Sequence, residues 1–442
     1  MTTNKNLPDN TASKVPSSRL GRLSQFGGLA AKVLGNVALE GAKKLSQGQR
    51  PKTSELLLTP SNLQHLAKKL SHLRGAAMKL GQMLSMDAGE LLSPELAGIL
   101  ERLRSDASPM PHKQLLEVLQ QQWGEGWLDH FSNFELRPFA AASIGQVHLA
   151  NLACGQKLAV KVQYPGVKQA ISSDVDNVAS LLKISGLLPP QLDIKPLLNE
   201  AKKQLEDEAD YQLEADYLNR YSQLIDSKQF AIPSVHSQLV TDVMLPMSFI
   251  DGVPIEATLH LPQATRNSIV QRLIALFMAE LFDFKLMQSD PNFANFQYQQ
   301  NTDKIVLLDF GATRRIPQTI SEGYKLLING GVNQDNEMML AGAKQVGFFA
   351  DDIDEDYLND VLTIFNLACE PIRHQGEYDF STSNLAQRVK EQGMNINRQK
   401  AQWHTPPVDA LFIHRKLGGL YLLANKLQAK INVAELFIAY KA

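Results

Sequence analysis

The chain has 442 residues, 44% hydrophobic and 20% charged, ordinary values for a folded protein with room for two or three domains. Its only cysteines, Cys154 and Cys369, exclude a disulfide framework and point to a reducing compartment. The net charge of −2 is unevenly placed: residues 1–80 carry thirteen Lys/Arg and three Asp/Glu, a net +10 on a body of −12, a pattern suited to an anionic surface such as lipid headgroups or nucleic acid.

Taken in chain order, residues 1–17 read as a disordered polar leader without an apolar core of signal-peptide length. No uncharged apolar run reaches about 18 residues, so no transmembrane helix is predicted. Residues 18–45 place Leu29, Val33, Val37 and Leu45 at helical spacing beside Gly28, Ala31, Gly35 and Ala38. This predicts an amphipathic helix that lies in a membrane interface or packs on another helix. After a polar linker, a helix over 61–86 contains R-G-A-A-M-K-L-G-Q-M. Lys79 and Gln82 share one of its faces. The small and apolar residues around Lys79 leave it either to pair or to protrude. Further helices over 93–108 and 111–122 complete a helical segment spanning 18–130.

From Phe134 the period shifts to that of strands. Residues 134–152 read as strand, loop and strand, Cys154–Gly155 makes a turn, and K-L-A-V-K-V-Q-Y is a strand carrying Lys161 between Val160 and Val162. Three strands with a Lys on the third match the small lobe of a kinase, where that Lys contacts the α/β-phosphates. The phosphate-covering loop of such a lobe is G-x-G-x-x-G; here it is Ala140, Ala141, Ala142, Ser143, Ile144, Gly145. Alanine restricts the close backbone approach that glycine permits. Ser143 and the Gly145 amide become the candidate nucleotide contacts, and ordinary protein phosphorylation becomes a weaker reading. A helical stretch over 165–188 and a long helix over 194–225 follow, the latter with E-D-E-A-D-Y-Q-L-E. Asp210 and Glu214 share a face, Glu208 is offset, and Glu214 is the expected partner of Lys161. Strands are expected over 233–243. Residues 245–254 read as a hinge whose backbone groups from Met247 to Phe249 would take adenine. The small lobe is thus placed at 131–254 and the large lobe at 255–442.

A helix over 264–286 leads into M-Q-S-D-P-N-F-A-N-F, a polar turn, and the apolar run that ends in Asp309–Phe310–Gly311. Asp290 and Asn295 lie five residues apart, and Asp309 follows fourteen after Asn295. This is the spacing of a phosphoryl-transfer core. Asn295 and Asp309 supply hard oxygen ligands for Mg²⁺, and Asp290 faces the hydroxyl or water that attacks the γ-phosphate. Residues 351–357 are expected to open a helix with their acids. His414–Arg415–Lys416 has no Asp beside it and reads as a structural or surface helix.

The combination resembles the UbiB/AarF family of atypical kinases, in particular its coenzyme Q branch. The resemblance rests on K-x-G-Q (Lys79, Gly81, Gln82), the Ala-rich loop Ala140–Gly145, E-x-D (Glu208, Asp210) and Q-[ST]-D-P-N-x-x-N-F (Gln288–Phe296), all in order. It implies an α+β, bilobal protein-kinase-like fold with an N-terminal helical extension packed over the active-site cleft. It also implies that Lys79, with Gln82 nearby, pairs with Glu208 and Asp210 across that cleft, and that ATP with Mg²⁺ is the cofactor. The implied activity is ATP hydrolysis or small-molecule phosphorylation supporting ubiquinone biosynthesis, with a quinone-precursor or isoprenoid lipid, an anionic membrane surface and other ubiquinone-biosynthesis enzymes as partners. A homodimer is compatible with this. The implied location is cytoplasmic, peripheral at a bacterial inner membrane. A protein kinase and a nucleotide-binding scaffold without turnover stand as alternatives. Nucleic-acid binding lacks aromatic interleaving or a recognised fold.

Overall fold

The structure, a computed structural model, describes residues 75–77, 79, 109–184, 194–290, 292–349, 355–398 and 407–441. The leader, the amphipathic segment at 18–45, Gln82 and the helix expected over 93–108 lie outside these residues. The chain divides into two compact units, Met1–Asp216 with Ser234–Phe249, and Tyr217–Pro233 with Ile250–Ala442.

In the first unit, helix α1 (His112–Trp123) precedes strands β1 (Phe131–Phe134), β2 (Ala140–Ala141), β3 (Gly145–Leu152) and β4 (Lys157–Gln163). Helices α2 (Val167–Ile184) and α3 (Lys195–Glu208) follow, and α4 (Tyr211–Leu224) begins in this unit, its residues from Tyr217 onward belonging to the second. Strand β5 (Phe230–Ala231) belongs to the second unit, and β6 (Met244–Ser248) closes the sheet of the first. That sheet runs β1-β3-β4-β6, with β2 added on β3, all antiparallel. Alternation along β4 sends Leu158, Val160 and Val162, all fully buried, into an apolar cluster with Leu115 and Leu119 of α1, Trp127, Phe131 and Phe134. The opposite face of β4 carries Lys161.

A buried polar chain ties this core together. The Met110 amide donates to Gln146 Oε1 at 2.9 Å, Gln146 Nε2 lies 2.8 Å from His148 Nε2, and His148 Nδ1 lies 2.8 Å from the Glu135 carbonyl. A carbonyl only accepts, so His148 carries its proton on Nδ1 and Nε2 accepts from Gln146. Burial lowers the His148 pKa to about 4, which keeps the ring neutral.

Two expectations about this unit are corrected. The helix expected over 194–225 is broken at Ala209–Asp210: Asp210 Oδ1 accepts from the Leu213 amide at 3.0 Å, and the Ala209 carbonyl accepts from Gln163 Nε2 at 2.9 Å. A short acidic side chain that bonds its own backbone caps a new helix rather than continuing the old one. The strands expected over 233–243 are instead two isolated bridges, Val235 with Met247 and Thr241 with Met244, around a 3₁₀ turn at Ser237–Leu239.

In the second unit, strand β7 (Val253–Pro254) and helix α5 (Gln263–Ala279) lead to β8 (Leu286–Gln288), β9 (Phe296–Gln299), β10 (Lys304–Leu307) and β11 (Thr313–Arg315). The order β5-β10-β9-β7 makes one sheet and β11-β8 a second. Helices α6 (Gln318–Asn333), α7 (Asn336–Val346), α8 (Glu355–Ala368), α9 (Glu370–Arg373), α10 (Leu385–Arg398), α11 (Val408–Lys426) and α12 (Val433–Phe437) build its helical body, with β12 (Tyr378–Asp379) and β13 (Lys430–Ile431) paired between them. Of the acids expected to open a helix at 351–357, Glu355 and Asp356 are described, and they occupy the first turn of α8. Among the described residues no helix is long and apolar enough to cross a membrane.

The helix expected to run to 286 also ends early. After α5 the backbone widens into a π turn at Glu280–Phe284, and Lys285 takes a left-handed conformation at φ 50°. The cause lies in Glu280, which is fully buried and turned onto the Tyr221 hydroxyl, Lys416 and the Gln288 amide. Satisfying a buried carboxylate from three directions outweighs one more turn of regular helix.

Candidate active site

In the first unit, Lys161 Nζ lies 2.5 Å from Glu214 Oε1, with side chains only 5% and 2% exposed. This ion pair joins the third strand of the sheet to α4, as the sequence predicts. A charge so far from water keeps its ionised form only against an opposite charge, and the pair fixes where the ammonium stands. The Ala-rich segment is a tight hairpin. Ala140 pairs with Val147 and Ala141 with Gln146, and the Ala142 amide donates to the Gly145 carbonyl at 3.0 Å. Gly145 itself pairs with Gln163, and a Cβ built there would stand 2.3 Å from the Val162 carbonyl oxygen. Glycine is therefore required at 145 by the closeness of β4.

Ser143 Oγ donates to Glu208 Oε2 at 2.9 Å, and Lys79 Nζ pairs with Glu208 Oε1. One carboxylate thus links the hairpin to the helix holding Gly75–Ala77 and Lys79. The backbone of that helix approaches so closely that a Cβ on Gly75 would lie 3.1 Å from the Ser143 carbonyl oxygen. Lys79 is 5% exposed, so it pairs rather than protrudes. Asp210, expected to share Lys79, is found elsewhere: besides capping α4 it lies 3.9 Å from Lys168 Nζ. In the stretch expected to take adenine, the Ser248 amide donates to the Ser234 carbonyl at 2.8 Å and the Phe249 amide to the Lys157 carbonyl at 2.9 Å. Those two donors are spent within the protein, and the Phe249 ring carries Lys157 Nζ at 4.1 Å and Phe139 at 5.7 Å.

In the second unit, β8 delivers Asp290 and a 3₁₀ turn at Phe293–Asn295 delivers Asn295. Asn295 Nδ2 donates to Asp290 Oδ2 at 3.3 Å, and the Asn292 amide donates to Asp290 Oδ1 at 3.3 Å. The Leu308 amide donates to the Asn295 carbonyl at 3.0 Å, so the chain entering Asp309 is strapped to the Asp290 loop. The Gly311 amide donates to Asp309 Oδ1 at 3.1 Å, which closes the Asp309–Phe310–Gly311 turn. Phe310 is fully buried, its ring 4.7 Å from that of Tyr221. Pairing of Thr313 with Gln288, and the Ser289 hydroxyl on the Ala312 carbonyl at 2.6 Å, hold the two segments side by side.

The chemistry of these donors fits Mg²⁺. Asn295 spends its amide nitrogen on Asp290, which leaves Oδ1 as the atom for a metal, and Asp309 offers a carboxylate. Mg²⁺ bound with a nucleotide takes one or two protein oxygens and completes its shell with phosphates and water. Among the described residues no group of three or more His, Cys, Asp or Glu is placed to hold a metal ion.

Sequence reasoning missed the support beneath this loop. Lys416 Nζ donates to Glu280 and, at 2.7 Å, to the Gln288 carbonyl. The Tyr221 hydroxyl lies 2.9 Å from Glu280 Oε1 and 3.0 Å from the Leu286 carbonyl. Burial pushes the Glu280 carboxyl up and the Lys416 ammonium down, and each charge opposes the shift of the other. Arg415 Nη2 lies 3.4 Å from Asp290 Oδ1. His414 is half-buried, and desolvation lowers its pKa to about 4. The H-R-K triplet is thus structural, as one reading has it, and not a surface feature. Helical periodicity around Leu411, Phe412 and Leu420 signals the helix; nothing local signals its partners.

A family model described as the ABC1 atypical kinase-like domain matches residues 102–342. The chain belongs to the UbiB/AarF family of ABC1-type atypical kinases. Among its relatives, the atypical kinase COQ8, mitochondrial, of Saccharomyces cerevisiae is 35% identical over 441 residues, covering 97% of this chain and 87% of that protein. The atypical kinase COQ8B, mitochondrial, of Rattus norvegicus is 36% identical over 427 residues, covering 96% of this chain and 80% of that protein. A solved structure, Rv3197 of Mycobacterium tuberculosis in complex with erythromycin, superposes with TM-score 0.58 at 24% identity, over 87% of this chain and 96% of that one, and shares the fold. The family match takes in Lys161, Glu208, Glu214, Asp290, Asn295 and Asp309, while Lys79 and Arg415 lie outside its bounds.

Proposed function

We propose that this chain is a Mg²⁺-dependent ATPase or small-molecule kinase acting in isoprenoid-quinone biosynthesis at a membrane surface. The observation that carries the reading is the Asp290 loop, where Asn295 holds the carboxylate of Asp290 and the approach to Asp309 is bonded to Asn295 itself. Lys161, set by Glu214, contacts the α/β-phosphates. Asn295 and Asp309 hold the metal, which when bound neutralises charge on the phosphates. Asp290 accepts the proton of the attacking water or hydroxyl. The base lies toward Met247 and Phe249, and the Ala140–Gly145 hairpin covers the phosphates.

Two features favour a small acceptor over a protein. The hairpin has no glycine before Gly145 and is tied by Ser143 to Glu208, which also holds Lys79. A hairpin held in this way, beside a Lys79 already paired, favours a small acceptor. The basic residues before 80 and the amphipathic pattern at 18–45 support peripheral contact with anionic lipid. The test is phosphate release from ATP by the full chain with Mg²⁺, for wild type and Asp309→Asn, each with and without anionic liposomes. Turnover that liposomes accelerate and Asp309→Asn abolishes is expected. Stabilisation by ATP without any phosphate release would replace this reading by that of a nucleotide-gated scaffold.

A further inference from the structure

The Asp290–Phe296 segment contains no Lys or Arg. Phosphoryl transfer places its charge on the phosphoryl oxygens and needs the group facing the nucleophile held in place. Here a cation arrives from the far end of the sequence: Arg415 of α11 stands 3.4 Å from Asp290 Oδ1, with side chains 14% and 18% exposed.

Its direction is fixed by its neighbours. Lys416 is anchored on Glu280 and on the Gln288 carbonyl, two residues before Asp290. His414 is stacked on Phe348 at 5.4 Å with 6° between the rings, and its Nε2 lies 2.9 Å from the Tyr324 hydroxyl. At the start of α11, Asp409 lies 3.2 Å from Arg314, whose guanidinium sits 4.4 Å over the Phe412 ring. Successive helical residues point about 100° apart, so locking 414 and 416 against different walls sets the azimuth of 415. The guanidinium carries five N–H donors in a rigid fork, and its contact to Asp290 uses one.

We infer that Arg415 is the positioning residue of the phosphoryl-transfer loop. It joins the Asn292 amide on Oδ1 of Asp290 while Asn295 holds Oδ2, so that the carboxylate meets the nucleophile in one orientation. This inference rests on the Mg-ATP reading. In the hydrolytic step the water oxygen forms a bond to the γ-phosphorus, the bond from that phosphorus to the β–γ bridging oxygen breaks, ADP leaves with the electron pair, and the water proton passes to Asp290. Arg415 acts through Asp290.

The experiment measures kcat and KM for Mg-ATP, with unfolding midpoints, on full-length wild type, Arg415→Gln, Arg415→Lys and Asp309→Asn. Misorienting the loop carboxylate is expected to lower kcat of Arg415→Gln about 100-fold at unchanged KM and midpoint. Arg415→Lys, which keeps the charge but not the fork, is expected to recover about tenfold of that loss. Wild-type kcat in Arg415→Gln, or a loss confined to KM or to the midpoint, overturns the inference while leaving the Mg-ATP reading intact. Wild type without turnover, equal to Asp309→Asn, overturns both. Should Arg415→Gln not fold, Arg415→Lys decides alone: an intermediate kcat at wild-type KM supports the inference, and full wild-type kcat overturns it.

Discussion

Replacing Lys416 by Met tests whether the buried pair beneath the Asp290 loop is ionic. The substitution leaves an unbranched side chain one atom shorter and removes the charge on which Glu280 depends. Glu280 retains the Tyr221 hydroxyl at 2.9 Å and the Gln288 amide at 3.3 Å, so it is still hydrogen-bonded, but no cation faces it. In the fully buried site it is expected to take up a proton. The unfolded chain gives that proton up above the ordinary value of 4.5, so unfolding releases it and rising pH favours the unfolded state. The cost of holding the proton is at most about 3 kcal/mol at pH 7 and about 1 kcal/mol at pH 5, from about 1.4 kcal/mol per pH unit. A further loss of about 1 kcal/mol, independent of pH, comes from the Gln288 carbonyl that Lys416 leaves unbonded. Urea unfolding of wild type and variant at the two pH values gives the difference. A destabilisation some 2 kcal/mol larger at pH 7 than at pH 5 is expected, and the double variant Glu280→Gln/Lys416→Met should lose that dependence. A destabilisation equal at both pH values would refute the ionic account of the pair.

Two histidines, the buried His148 and the half-buried His414, both lowered to about 4 by desolvation, work in the opposite direction. The unfolded chain binds their protons first, so the stability each contributes is full above the ordinary value near 6.5 and falls as pH drops, by about 2 kcal/mol each at pH 5. Their ring C–H resonances should not titrate above about pH 5, and a midpoint near 6.5 for either would sink the burial argument. Gly145→Ala should lower the unfolding midpoint through a loss of about 3 kcal/mol, because its Cβ would stand 2.3 Å from a backbone oxygen that cannot step aside. An unchanged midpoint would mean that β3 and β4 are less close than the structure has them. Lys79→Ala removes the cation from Glu208 yet leaves Ser143 on its other oxygen, so the chain should stay folded while phosphate release changes about tenfold, or about 1.4 kcal/mol in barrier. Unchanged kinetics would take Lys79 out of the mechanism.

What the sequence discloses is what lies close along the chain. The alternation around Lys161, the placement of Glu214 on a following helix, and the spacing of Asp290, Asn295 and Asp309 all express local geometry, and the structure joins Lys161 to Glu214 and Asn295 to Asp290. The break at Asp210 is also local, but an acid inside an acidic helical run reads equally well as a solvated face, and only its bond to the Leu213 amide distinguishes the two. The end of α5 is different in kind. Nothing within a turn of Glu280 is opposite in charge; its cation is Lys416, 136 residues further on. The same holds for Arg415 and Asp290, 125 residues apart. A helix that carries His, Arg and Lys in succession looks solvent-facing to any periodicity argument, since partners that cancel the charges belong to tertiary structure.

The Ala-rich hairpin shows how a sequence departure becomes a physical constraint. A glycine-rich loop can close over phosphates because its backbone is unrestricted. Here that freedom is withdrawn at three levels. Ala140 and Ala141 are paired to β3, the Ala142 amide is bonded within the turn, and the Ser143 hydroxyl is bonded to Glu208. Whatever rearranges the hairpin must therefore break or carry with it the Glu208 contact, and Glu208 holds Lys79 at the same time. The hairpin and the helix bearing Lys79 are coupled through a single carboxylate. A change at either is felt at the other, whereas a glycine loop would absorb it.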